Sequence, residues 1–219
     1  MTDSSPTAQE QTRATRLEPI LTRARGDMLD AGVIMEGHFR LSATEHSGHY
    51  INPQALFHQP DLSWRLAQDL IDILPPALVT ELDGVAGPAS GGAMIAHQVA
   101  GLLSSRRKVG QGVLFYGLTK HPDEDVQYIM PPYFAGLIRS RRILLVDDVI
   151  STGRTMKICL GEISRHGAVA VGIAAYVNRG FSRLPLGMKP YVLWDGHRSN
   201  KYDHRNCPMC QAGTPIRQF

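Results

Sequence analysis

The run ILLVDDVISTGRT, residues 143–155, decides the fold class. Ile143 to Val146 is continuously apolar, as expected of a strand buried on both faces. Asp147 and Asp148 follow, then a turn of small residues through Ser151, Thr152 and Gly153, then a helix start at Arg154 and Thr155. In a parallel α/β sheet, ligands bind at the carboxyl ends of the strands, where these acidic residues fall. Backbone N–H groups at a helix N-terminus carry partial positive charge and, with nearby hydroxyls, form an anion pocket suited to a phosphate monoester. Adjacent carboxylates would repel that phosphate. They suit sugar hydroxyls, or a hard cation bound through oxygen. A sugar phosphate with a free diol would use both halves. An isolated Asp-Asp pair would be an ordinary acidic strand end; it is the whole string, in register, that reads as a site.

Outward from this run the chain alternates strand and helix. Met156, Cys159, Leu160 and Ile163 line a helix that Gly167 closes, and Val169 to Val177 is a long buried strand. Tyr191 to Trp194 is a shorter one. Upstream, Gly84 to Ala86 is a strand, Ile95, Val99, Leu102 and Leu103 line a helix, and Val113 to Tyr116 is a strand. This alternation predicts an α/β fold with a parallel twisted sheet covered by helices on both sides. Leu62, Leu66, Leu70 and Ile73 mark a further helix, ended by Pro75-Pro76. Leu17, Ile20, Leu21, Ala24 and Met28 predict one over about 16–31. Residues 1–15 are polar and read as a disordered tail, and 33–53 as short strands and loops. Residues 117–139 lack a period and contain Pro131-Pro132; so long an irregular stretch in a compact domain reads as functional.

With 219 residues, 43% of them hydrophobic, the chain can bury one sizeable core. The net charge is only +3, and Lys and Arg are scattered apart from the short Arg139, Arg141, Arg142 cluster, which argues against a nucleic-acid partner. No apolar run is long enough to span a membrane, and the N-terminus lacks a signal-peptide core. Three cysteines make no disulfide framework, so the expected compartment is a reducing cytoplasm.

A second loop, VAGPASGG at 85–92, also joins a strand to a helix, and its glycines allow the backbone to approach a ligand closely. GVLFYGLTK at 112–120 is not a phosphate loop of the Walker type, because Leu118 stands where the lysine should be. Cys159 lies on an apolar helical face and reads as core. Cys207-x-x-Cys210, with His204 and His197 near it, offers only half a zinc shell, so the expectation is a packed C-terminal turn and no metal.

The 143–155 string closely resembles the signature by which type I phosphoribosyltransferases bind phosphoribosyl pyrophosphate (PRPP). The resemblance covers most of the chain and is closest to the orotate branch. GHFRLSATEHSGHYI at 37–51 is similar to that branch's N-terminal segment, VAGPASGG to its pyrophosphate loop, and YVNRG at 176–180 to the strand end whose arginine meets the base. CPMCQAGTPI at 207–216 is similar to a C-terminal segment of one bacterial subgroup. The chain departs from the branch in having Ala43-Thr44, Asn178 and a loop with Lys120 as its one strong base between 117 and 138.

The resemblance implies one domain over 16–219, with a small hood from 33–53 and 195–219. It implies Mg²⁺-dependent transfer of ribose 5-phosphate from PRPP to a base, most simply orotate, by a homodimer. Asp147, Asp148 and Lys120 would be catalytic. Ser151, Thr152, Gly153, Arg154, Thr155, Ala89, Ser90 and Gly91 would bind PRPP. Arg179 and Tyr50 would meet the base, and residues 117–138 would form a lid. Transfer to another base stays open, as does a PRPP-sensing regulator that binds nucleic acid.

Overall fold

The computed structural model describes residues 8–122, 124–179, 187–196 and 201–217. In chain order, helix α1 (Ala8–Asp30) leads into a hairpin, β1 (Ile34–Arg40) and β2 (Glu45–Ile51). Three helices follow: α2 (Pro53–Phe57), α3 (Pro60–Ile73) and α4 (Pro76–Glu81). Then come β3 (Gly84–Pro88), α5 (Gly91–Ser105), β4 (Leu114–His121), β5 (Glu124–Ile129) and α6 (Pro132–Ala135). The remainder is β6 (Arg142–Ile150), α7 (Arg154–Arg165), β7 (Val169–Asn178), β8 (Tyr191–Asp195) and β9 (Lys201–Asp203). A 3₁₀ turn (His204–Asn206) and α8 (Pro208–Gln211) end the described chain's regular structure.

The central sheet has six strands in the order β5-β4-β3-β6-β7-β8. All neighbouring pairs are parallel except β4–β5, which is antiparallel. The sheet is therefore mixed rather than wholly parallel. Alternation along β6 explains why a continuous apolar run is needed at its centre. Leu144 and Val146 face one core with Leu66, Leu70, Ile95 and Val99 from α3 and α5. Ile143 and Leu145 face the other with Met156, Cys159 and Ile163 from α7. Cys159 is fully buried there, as the sequence predicts.

A second sheet, β1-β2-β9, forms the hood. Glu45, His46 and Ser47 pair with Asp203, Tyr202 and Lys201, and Phe39 bridges to Arg217, so N- and C-terminal segments are woven together. Among the described residues no helix is long and apolar enough to cross a membrane.

Two expectations need correction. Residues 8–15, assigned to a disordered tail, extend α1. Ala, Gln, Glu and Arg are good helix formers whether or not they are apolar, and Arg13 anchors the extension by donating to the Ile73 carbonyl at 3.1 Å. Residues 1–7 lie outside the described part. The stretch 117–139, read as irregular, instead contains the β4–β5 hairpin, with Thr119 opposite Ile129 and Lys120 opposite Tyr128. Cross-strand pairing, which no local period reports, orders it.

Candidate active site

The site forms where β3 and β6 end side by side. The strand carrying the acidic pair runs to Ile150, so Asp147 and Asp148 are still within β6, paired with β7 through Asp147 opposite Ala175. Asp147 is 8% exposed. Its Oδ1 accepts the Asp148 N–H at 3.0 Å, and Asp148 Oδ1 accepts the Val149 N–H at 2.6 Å, so backbone bonds fix both carboxylates. Burial raises the pKa of Asp147 well above the ordinary carboxylate range, and the neighbouring charge of Asp148 raises it further. Burial also raises Asp148. A hard cation or hydroxyl donors placed here would relieve that unfavourable charge.

The glycine loop closes against this pair. A Cβ on Gly91 would collide with Asp148 Oδ2, and one on Gly92 would come within 2.9 Å of Asp147 Oδ1. The two glycines thus let the start of α5 lie directly on the acidic strand end. Ser90 occupies the N-cap position of α5. On the other side, Gly153 adopts φ +73° at the N-cap of α7, a left-handed conformation that turns the chain from strand into helix.

A cleft of about 600 Å³ opens between these elements. Its walls include Ala89, Ser90, Gly91, Asp147, Asp148, Thr155 and, from the hairpin, Lys120 and Tyr128. Of these, Ala89, Ser90, Gly91, Lys120, Asp147, Asp148 and Thr155 are residues the sequence points to, and Tyr128 is not. That residue reaches the cleft because it pairs with Lys120 across β4–β5. Burial, and then the charge of Asp147, raise its phenol pKa, which keeps it a neutral hydrogen-bonding group. The base of the hairpin is fixed to α7, where the buried Glu162 carboxylate accepts the Met130 N–H at 2.9 Å and pairs with Arg165 at 2.8 Å. The available signal for Glu162 was its place beside Ile163 and three residues after Cys159, at the edge of the helix's apolar stripe.

Ser151, Thr152, Gly153 and Arg154 form the turn beside the cleft without lining it. Thr152 Oγ1 accepts the Arg154 N–H at 3.4 Å. Arg179 and Tyr50 are also outside the cleft wall and lie toward the hood. Arg179 leaves the end of β7, where its N–H donates to the Ile150 carbonyl at 2.7 Å. Burial lowers its pKa, opposed by nearby Glu45 and Tyr50, both on β2. Its Nε and Nη2 are buried and have no hydrogen-bond partner among the described residues. Asn178, just before it, donates to Asp195 Oδ1 at 2.9 Å and so helps hold β7 to β8.

The C-terminal cysteines also need correction. The half-empty zinc shell assumed that His204 and His197 were the nearby histidines. Instead, ligand atoms of His38, His46, Cys207 and Cys210 all lie within 4.8 Å of one another. The second pair comes from the β1–β2 hairpin, far away in sequence. His204 Nδ1 lies 3.6 Å from Asp203 instead, and His197 is outside the described residues.

Comparison with known proteins supports the same reading. Residues 61–208 match the family described as phosphoribosyl transferase domain. An orotate phosphoribosyltransferase of Erythrobacter litoralis is 30% identical over 73% of this chain and 77% of its own length. One from Carboxydothermus hydrogenoformans is 28% identical over 86% and 91%. Among solved structures, orotate phosphoribosyltransferase from Aeropyrum pernix superposes with a TM-score of 0.59 at 20% identity, covering 78% of this chain and 91% of the other. Adenine phosphoribosyltransferase from Rhodothermus marinus gives 0.56 at 18%, covering 80% and 98%, so the fold is shared by proteins named for different bases. The matched segment holds the glycine loop, Lys120 and the acidic strand end that together wall the cleft, and the chain belongs to the phosphoribosyltransferase family.

Proposed function

We propose that the protein transfers ribose 5-phosphate from PRPP to orotate, giving orotidine 5′-phosphate and pyrophosphate, as a Mg²⁺-dependent cytoplasmic homodimer. The observation that carries the choice of base is Arg179. A guanidinium whose Nε and Nη2 are buried and have no partner among the described residues is matched by a planar carboxylate, which accepts two parallel N–H bonds. Orotate carries that carboxylate and uracil does not. The names of the relatives from Erythrobacter and Carboxydothermus agree with this choice.

In the reaction a ring nitrogen of the base bonds to the anomeric carbon and gives up its N–H proton to solvent, as the bond from that carbon to pyrophosphate breaks. The ribose gains positive character and the leaving group keeps the electron pair. Asp147 and Asp148 hold the ribose hydroxyls and stabilise the cationic ring. The Ser90–Gly91 backbone at the start of α5 receives the pyrophosphate, and the turn from Ser151 to Thr155 at the start of α7 receives the 5′-phosphate. Lys120 supplies a cation to the pyrophosphate from the hairpin, with Tyr128 as a neutral donor beside it. The β4–β5 hairpin and the residues up to 138 act as the lid that excludes water. The oxygen-only donors of Asp147 and Asp148 fit Mg²⁺, which when bound neutralises the pyrophosphate.

The test is titration calorimetry of orotate and uracil in the presence of Mg²⁺ and a nonreactive PRPP analogue. Wild type should bind orotate well above uracil. Arg179→Ala should weaken orotate by roughly ten- to a hundredfold, the loss of a charge-assisted hydrogen bond, and leave the PRPP analogue little changed. A wild type that ignores orotate and binds a neutral base refutes the choice of orotate.

A further inference from the structure

The Cys207–Cys210 turn and the β1–β2 hairpin meet in a cluster that phosphoribosyl transfer does not use. His46 pairs with Arg40, two residues along β1 from His38, so the two imidazoles are diagonal neighbours on the hairpin. Cys207 and Cys210 bracket the first turn of α8, where the Gln211 N–H donates to the Cys207 carbonyl at 3.1 Å. His38, His46 and Cys207 are 1%, 4% and 0% exposed, and Cys210 closes the outer side.

The distances between the facing atoms suit a metal. Cys210 Sγ is 3.2 Å from His46 Nδ1, and both sulfurs are 3.6 Å from His38 Nε2. The two imidazole nitrogens are 2.9 Å apart. Tetrahedral zinc, with bonds of about 2.3 Å to sulfur and 2.0–2.1 Å to nitrogen, separates N and S ligands by about 3.5 Å and two N ligands by about 3.3 Å. Hydrogen bonding would require only pairs of partners; here four donor atoms converge on one point. The outer contact agrees. His38 Nδ1 lies 2.7 Å from the Thr214 carbonyl, which places the proton on Nδ1 and leaves the Nε2 lone pair facing the other three ligands.

We propose that His38, His46, Cys207 and Cys210 bind one Zn²⁺ ion. Four protein ligands fill the tetrahedral shell, so the site is structural and has no position open for substrate. It fastens the C-terminal segment to the hairpin whose β2 strand brings Glu45 and Tyr50 toward Arg179. His38, His46 and Cys210 all lie outside the 61–208 family match, so the site belongs to this chain's hood and not to the shared catalytic core.

Elemental analysis of protein incubated with Zn²⁺ and then dialysed exhaustively is the test. Wild type and the core variant Cys159→Ala should each carry about one zinc per chain, and Cys210→Ser less than about a tenth of that. Loading metal-free wild type with Co²⁺ gives a readout that needs no variant: tetrahedral thiolate ligation produces intense visible bands. Chelation should lower the melting temperature of wild type and leave that of Cys210→Ser unchanged. Wild type that retains no zinc and shows no such Co²⁺ bands, or Cys210→Ser that retains zinc like wild type, overturns the proposal.

Discussion

The carboxylate of Asp148 lies directly against the α-carbon of Gly91, leaving no room for a methyl group between the glycine loop and the acidic strand end. This contact joins the two halves of the cleft, so the glycine loop and the acidic strand end hold each other in place.

Gly91→Ala tests that contact. Gly91 is the first residue of α5, and helix propensity alone would favour alanine by up to about 1 kcal/mol. The collision with Asp148 should outweigh this gain. Misplacing reacting groups by about 1 Å costs roughly a hundredfold in rate, so we expect kcat/KM for PRPP to fall by about that factor with the fold intact by circular dichroism. Unchanged kinetics would mean that the two loops move independently.

Asp147→Asn should separate stability from activity. Burial and Asp148 raise the folded pKa of Asp147, so the folded chain holds a proton that the unfolded chain releases. Its contribution to stability is full below the ordinary carboxylate pKa and is lost as pH rises through the raised folded value. Asparagine removes the buried charge and keeps the Oδ1 that accepts the Asp148 N–H. The ligand-free variant should therefore melt a few degrees above wild type at neutral pH, with the gap closing toward about pH 4. Its turnover should fall by about 10²–10³-fold. Scanning fluorimetry across pH would show an equal or lower melting temperature at neutral pH if the charge is not a burden.

How much of this was legible in the sequence follows from the range of the interactions. Residues 143–155 were legible because a strand buried on both faces, its acidic end and the next helix start are contiguous. Ala89, Ser90 and Gly91 were legible as a turn between a strand and a helix, and their role only through the family resemblance. Tyr128 was not, because its position depends on antiparallel pairing with Lys120. The His38–Cys207 contact spans 169 residues, and no local spacing could report it. The early start of α1 was missed because Ala8–Thr15 has helix-forming residues without an apolar stripe.

The hairpin prediction concerns Lys120 and Tyr128. Lys120→Ala should lower kcat by about 10²–10³-fold if its charge meets the pyrophosphate as the transition state forms. Tyr128→Phe removes one neutral donor, and we expect a loss of about tenfold or less. If the hairpin closes as a lid, amides in β4 and β5 should exchange more slowly once PRPP and Mg²⁺ bind. Equal exchange with and without ligand would contradict closure.

PRPP-dependent transfer with a preference for orotate is open to direct measurement. The direct measurement is pyrophosphate release from PRPP and Mg²⁺ with a panel of bases: orotate, uracil, adenine, guanine, hypoxanthine and nicotinate. Rapid release with orotate, stoichiometric formation of orotidine 5′-phosphate, and little release with the other bases are expected. Release with a different base and none with orotate, or no release with any base, would contradict it.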